Sequence, residues 1–262
     1  MESVSMENVK THNGWVDVNI FDSQDEMASS LAKYISDLSN KFVKERGVFT
    51  IALSGDSISK AMRKLMEPSS SVDWSKWYVF WVDERLVPKD SPQSNYRLDY
   101  ADFLSKVPIP NDHIISINEK LSPEAASAEY ESRLKQLTKN NVIATSNVTG
   151  FPKFDLIILG LGYNGHIASL FPNHPQLKEN KKWVTYITDS PKPPPRRITM
   201  TFPVINSSSN VVFMVLGKGK ARVVNETLNG HQSSTSLPAK VVSPEGELKW
   251  FLDKEAASML NI

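Results

Sequence analysis

Gly160, Gly162 and Gly165 deliver His166 to the end of an apolar run, Phe154 to Leu159, that only Asp155 interrupts. Imidazole takes up and returns a proton close to neutral pH, so the chemistry on offer is general acid–base catalysis. The unbroken run reads as a strand buried on both faces, as in a parallel sheet. Its glycines permit a sharp turn at the carboxyl end, where ligands collect in open α/β sheets. A second site signal is Val48 to Ser57, which reads as strand, tight turn and helix start. There Ser54, Gly55 and Ser57 offer hydroxyl and backbone N–H donors to an anion, although an ordinary serine-capped turn accounts for the same residues. A third is Asp83-Glu84-Arg85 behind the aromatic run Trp77 to Val82, with Ser94-Asn95-Tyr96 following. Ionisable groups at the end of a buried strand fit either a binding site or a surface ion-pair cluster.

The elements that must position these groups alternate. Trp15 to Phe21 reads as a half-buried strand. Ser23 and Glu26 form a capping box for a helix whose apolar face is Met27, Leu31, Tyr34, Ile35, Leu38 and Phe42, and Gly47 closes it. Strands follow at Val48–Leu53 and Trp77–Val82, with a helix over Ser57–Met66 between them. Gln93–Lys106 and Ser122–Lys139 read as helices, the latter with Pro123 in its first turn, and Asn140–Lys153 as a polar loop. Further strands are expected at Phe154–Leu159, Trp183–Thr188 and Asn210–Leu216, then a helix over Lys218–Leu228. This alternation implies an α/β fold, Rossmann-like, with a mostly parallel sheet and helices on both faces. Residues 1–14 are set apart as an N-terminal extension of unspecified order, and 15–262 as one domain.

Composition narrows the function classes. With 30 basic and 29 acidic residues, for a formal charge of +1 over 262 residues, the chain lacks the basic footprint of a nucleic-acid or anionic-membrane binder. It contains no Cys, so disulfides, thiolate metal sites and a Cys nucleophile are excluded. No apolar stretch reaches membrane-spanning length. Met1 to Lys10 shows neither a signal core nor a transit pattern, which makes the cytoplasm the expected location. His113 and His174 have no partner at metal-ligand spacing, and no metal is expected. Gly160 to Gly165 also fits the outline of a dinucleotide fingerprint. That reading fails, because the run lies late in the chain and no acidic residue closes a strand at the required distance.

The string from Phe154 to Pro172 closely resembles the 6-phosphogluconolactonases, whose form is Gly-x-Gly-x-Asp-Gly-His-x-Ala-Ser-Leu-Phe-Pro. Where that family carries Asp, this chain has Asn164. The turn at Ser54-Gly55-Asp56-Ser57 is similar to the family's Ser-Gly-Gly-Ser, with Asp56 replacing a glycine. A carboxylate about 4 Å from a phosphate charge costs roughly 4 kcal/mol at an effective dielectric near 20. Asp83-Glu84-Arg85-x-Val87-Pro88 with Ser94-Asn95-Tyr96, Arg197 before Ile-Thr, and Lys220 before Ala221 also match.

The resemblance implies hydrolysis of 6-phosphoglucono-δ-lactone in the oxidative pentose phosphate pathway, without metal or organic cofactor. It implies the fold of glucosamine-6-phosphate deaminases, ribose-5-phosphate isomerases and CoA-transferase-like proteins. His166 would be the base, with Asn164 beside it and the glycine-turn N–H groups on the oxyanion. Ser54, Gly55, Ser57, Asp83, Arg85, Asn95, Arg197 and Lys220 would bind the phosphosugar, and Lys192 is a weaker candidate. The expected partner is this small molecule, with no nucleic acid and no membrane. Two alternatives stand beside it. One is a sugar-phosphate-binding or regulatory homologue whose catalysis is weakened or lost. The other is an amino-sugar phosphate deaminase, which Ala168-Ser-Leu-Phe-Pro172 disfavours.

Overall fold

The computed structural model describes residues 5–11, 14–67, 71–229 and 237–261, without the side chains of Asp56 and Ser57. The chain begins β1 (Ser5–Thr11), β2 (Gly14–Phe21), α1 (Gln24–Arg46), β3 (Phe49–Ser54), α2 (Asp56–Met62), β4 (Trp77–Trp81), β5 (Asp83–Arg85), α3 (Asn95–Asp102), β6 (Ile114–Ile115) and α4 (Pro123–Lys139). It continues β7 (Ala144–Thr145), β8 (Pro152–Lys153), β9 (Leu156–Leu159), β10 (Val184–Ile187), β11 (Arg197–Met200), α5 (Phe202–Asn206), β12 (Asn210–Val215), α6 (Ala221–Leu228), β13 (Glu247–Asp253) and α7 (Lys254–Ala257).

The main sheet has eight strands in the order β1-β2-β13-β12-β9-β3-β4-β6. Every pairing in it is parallel except β1 with β2. Its central strands send alternate residues into two cores, as a sheet covered on both faces must. Leu53, Val79, Leu156, Ile158 and Val212 pack under α1 and α2. Ala52, Phe80, Ile157, Leu159 and Phe213 pack against α4, α6 and α7 on the other side. Asp155, the polar break in the apolar run, lies at the amino end of β9. It pairs with Arg46 at 2.7 Å and accepts from the backbone N–H and hydroxyl of Thr50 at 2.8 and 2.9 Å.

The α1 caps are those the sequence implies. Ser23 and Glu26 bond reciprocally, and Gly47 takes the left-handed conformation. Within residues 1–14, whose order the sequence left open, Ser5–Thr11 pairs in antiparallel register with β2. Several expectations for later elements are corrected. The helix expected to start at Ser57 begins at Asp56, and its last turn, Arg63–Met66, tightens to 3-10 geometry. Gln93–Lys106 divides into α3 and a 3-10 turn at Leu104–Lys106. Lys218–Lys220 is likewise 3-10, so α6 starts at Ala221. The loop over Asn140–Lys153 includes the short antiparallel pair β7 and β8. The strand expected over Trp183–Thr188 is β10, and it joins a separate antiparallel sheet, β10-β11-β5, in place of the parallel one.

Candidate active site

Parallel strands point their carboxyl ends the same way, so the turns after β3, β4, β9 and β12 meet at one end of the sheet. They enclose a cleft of about 250 Å³ lined by Ser54, Gly55, Asp83, Arg85, Asn95, Gly160, Gly162, His166, Lys192, Arg197 and Lys220, among others. Ser57 was also expected here; its side chain and that of Asp56 lie outside the described residues.

His166 is nearly buried and stacks on Phe171, with ring centroids 4.5 Å apart. Its Nδ1 lies 2.5 Å from the Asn164 side-chain oxygen. That same oxygen accepts the backbone N–H of His166 at 3.3 Å, which fixes the amide with its oxygen inward. An inward oxygen can only accept, so Nδ1 carries the proton and Nε2 keeps its lone pair. Burial, reinforced by the positive charges of Lys192, Lys220, Arg197 and Arg85, pulls the imidazole down to about 3. The ring is therefore neutral at physiological pH and correctly protonated for a base. Gly162 is required by this geometry, because a Cβ there would sit 1.8 Å from Nδ1. Gly165 adopts φ +78°, and a Cβ there would crowd Leu237.

Within the glycine turn, the amides of the three glycines are themselves engaged. Gly160 donates its N–H to the Ser54 carbonyl at 3.2 Å, Gly162 to the His166 carbonyl at 2.9 Å and Gly165 to the Gly162 carbonyl at 2.9 Å. These three amides hold the turn together.

Asp83 braces the cleft. Its two carboxylate oxygens each accept a hydroxyl at 2.7 Å, one from Ser54 at the end of β3 and one from Ser169 in the segment after His166. Asn95 donates to the Asp83 carbonyl at 2.9 Å, while its own side-chain oxygen is buried without a hydrogen-bond partner. Glu84 faces away from the cleft. Its carboxylate accepts from the backbone N–H of Arg85, Asn95 and Tyr96 at 2.7 to 2.8 Å and from the Ser94 hydroxyl at 3.1 Å. It thereby caps α3, a favourable place for negative charge. Burial nonetheless holds its carboxyl above the usual range, against those N–H bonds.

The cations differ in freedom. Arg197 is 3% exposed, and it donates to the carbonyls of Pro194 at 2.9 Å, Lys192 at 2.8 Å and Pro193 at 3.1 Å. It thus clamps the proline-rich segment that carries Lys192, a feature the sequence does not announce because the acceptors are main-chain atoms. Arg85 is tethered to the Gln93 carbonyl at 2.7 Å. Lys220 bonds the Leu161 carbonyl, and its ammonium lies 3.7 Å from the centroid of the Tyr163 ring. Burial, with Lys192 nearby, brings its pKa down to about 8. Among the described residues, no three His, Asp or Glu side chains are grouped as metal ligands.

A family model described as glucosamine-6-phosphate isomerases/6-phosphogluconolactonase matches residues 22–250. A rice protein named probable 6-phosphogluconolactonase 4, chloroplastic (Oryza sativa subsp. indica) is 58% identical over 249 residues, which cover 94% of this chain and 77% of that one. The Arabidopsis thaliana protein named 6-phosphogluconolactonase 3, chloroplastic, is 54% identical over 245 residues, covering 93% and 75% of the two chains. The crystal structure of 6-phosphogluconolactonase from Thermotoga maritima superposes with a TM-score of 0.76 at 28% identity, covering 90% of this chain and 99% of the other.

Proposed function

The chain belongs to the glucosamine-6-phosphate isomerase and 6-phosphogluconolactonase family, and we propose that it hydrolyses 6-phosphoglucono-δ-lactone to 6-phosphogluconate. The observation that carries the assignment of roles is an imidazole, oriented by Asn164, in a cleft walled by Arg85, Lys192, Arg197 and Lys220.

The sequence of steps follows from that arrangement. The cations hold the phosphate and so place the lactone carbonyl against His166. Nε2 takes a proton from water as its oxygen bonds to the carbonyl carbon, giving a tetrahedral adduct and an imidazolium. The bond from that carbon to the ring oxygen then breaks, and the imidazolium returns its proton to the departing oxygen. We assign the oxyanion to the remaining backbone N–H groups of the turn, since those of the three glycines are engaged within it. The buried acceptor of Asn95 suits a sugar hydroxyl. Asp83 keeps Ser54 and the Ser169 segment in register, and Arg197 holds Lys192 toward the site.

Purified protein should hydrolyse the phosphorylated lactone above its spontaneous rate. His166→Ala should remove that activity while 6-phosphogluconate still binds. Equal rates in both proteins would overturn the assignment of His166. No helix among the described residues is long and apolar enough to cross a membrane. We propose the cytoplasm as the compartment, to be checked with a fluorescent fusion of the full-length protein, because the rice and Arabidopsis relatives above are named as chloroplastic.

A further inference from the structure

The charges around His166 set a condition on its use as a base. Four cations act on the ring from separate elements: Lys192 from the proline-rich segment, Arg197 from β11, Lys220 from the turn before α6 and Arg85 from β5. The groups in contact with the ring are uncharged, the Asn164 amide oxygen at Nδ1 and the Phe171 ring on its face. Among the described residues the carboxylate in the cleft wall is that of Asp83, which accepts a hydroxyl on each oxygen, and Glu84 is turned into the start of α3. Among the described residues, then, nothing negative is aimed at an imidazolium. Yet an imidazolium is the state His166 must enter when it takes the proton of water. The cations that oppose this state are those lining the cleft where a phosphate would lie.

We propose that the phosphate dianion of the substrate is the counter-charge for His166, so that the site distinguishes phosphorylated from unphosphorylated lactones in turnover as well as in affinity. This rests on the lactonase reading above. Held by the cations, the dianion offsets their repulsion and supplies the negative charge that an uncharged Asn164 does not. The phosphate makes and breaks no bond. The proton still passes from water to Nε2 and on to the ring oxygen. A pocket that used phosphate only as a handle would lose affinity without it and keep its rate once saturated.

The test uses the two halves of the substrate. Glucono-δ-lactone is hydrolysed with and without phosphite dianion, each rate corrected for the reaction without protein. Saturating phosphite should raise kcat/KM for the unphosphorylated lactone by about tenfold or more, the equivalent of one pH unit in the ease of protonating the base. Asn164→Asp, which brings a carboxylate to Nδ1, should raise the phosphite-independent rate and shrink the activation. Phosphite that inhibits hydrolysis of the phosphorylated lactone yet fails to activate the unphosphorylated one would overturn the proposal and leave the lactonase reading standing. A protein inactive on both lactones would overturn that reading and the proposal with it. Sulfate, dianionic across the range in which the ring titrates, gives an independent readout. Saturating sulfate should move the NMR titration of His166 to higher pH, and an unmoved midpoint would also overturn the proposal.

Discussion

Gly162 and Asn164 fix the imidazole from two sides, one by leaving room and the other by accepting a hydrogen bond from its Nδ1–H. Gly162→Ala would place a methyl group 1.8 Å from Nδ1 and must push the ring off the Asn164 oxygen. A misplacement of about 1 Å at a reacting group costs roughly 10²-fold in rate. Lactone hydrolysis by Gly162→Ala should fall by about that factor with the far-UV spectrum unchanged, and full activity would mean the ring need not sit where it does. Asn164→Asp keeps the hydrogen bond and adds a charge that favours imidazolium. The NMR midpoint of His166, depressed by burial and the four cations, should then rise by roughly one to three pH units. His166 was legible in the sequence because glycines and an apolar run frame it. The role of Arg197 was not, because the carbonyls of Lys192, Pro193 and Pro194 that it binds carry no side-chain signature.

Strands β3, β4, β9 and β12 were legible because burial on both faces leaves an unbroken apolar record. β5 and β11 are three and four residues long and carry charge, Asp83 to Arg85 in one and Arg197 in the other. Pairing with each other makes them strands, and periodicity does not. β1 escapes for a similar reason: only Val9 is buried in it, so no alternation marks it. β13 places Glu247 and Asp253 at its ends and is fixed by its neighbours β12 and β2. The small antiparallel sheet has a function at this scale, since it carries Arg85 and Arg197 side by side to the cleft. Its junction with α3 depends on Glu84. Glu84→Gln would set an amide N–H against the backbone N–H groups that the carboxylate now accepts. Leaving such a buried group unsatisfied costs about 1–3 kcal/mol. The urea midpoint should fall accordingly, and KM should rise as Arg85 and Asn95 lose their anchor. An unchanged midpoint would mean that α3 is held by its packing alone.

At the scale of the whole molecule, two buried groups tie stability to pH with opposite signs. His166 is held at about 3 in the folded protein against 6.5 for an ordinary imidazole. Between those values the unfolded chain takes up a proton that the folded one refuses. The stability owed to His166 is therefore complete above pH 6.5 and is lost as pH falls toward 3, at up to about 1.4 kcal/mol per pH unit. Asp155 behaves in reverse. Burial outweighs Arg46 and Thr50 and raises its carboxyl from 3.8 to about 6. Its contribution is complete below pH 3.8 and is lost as pH rises through 6. Between about pH 4 and 6 the two slopes oppose each other and nearly cancel. Replacing one group should expose the other. The stability difference between wild type and His166→Gln, measured by urea unfolding, should grow in favour of wild type as pH rises from 4 to 6.5. A difference flat across that range would mean the folded imidazole titrates like a free one. A ligand that binds only the folded form raises Tm, so sulfate or 6-phosphogluconate should stabilise wild type. Because the bound anion also favours the imidazolium, it should flatten the acid-side loss of stability, which a ligand held away from His166 would leave unchanged.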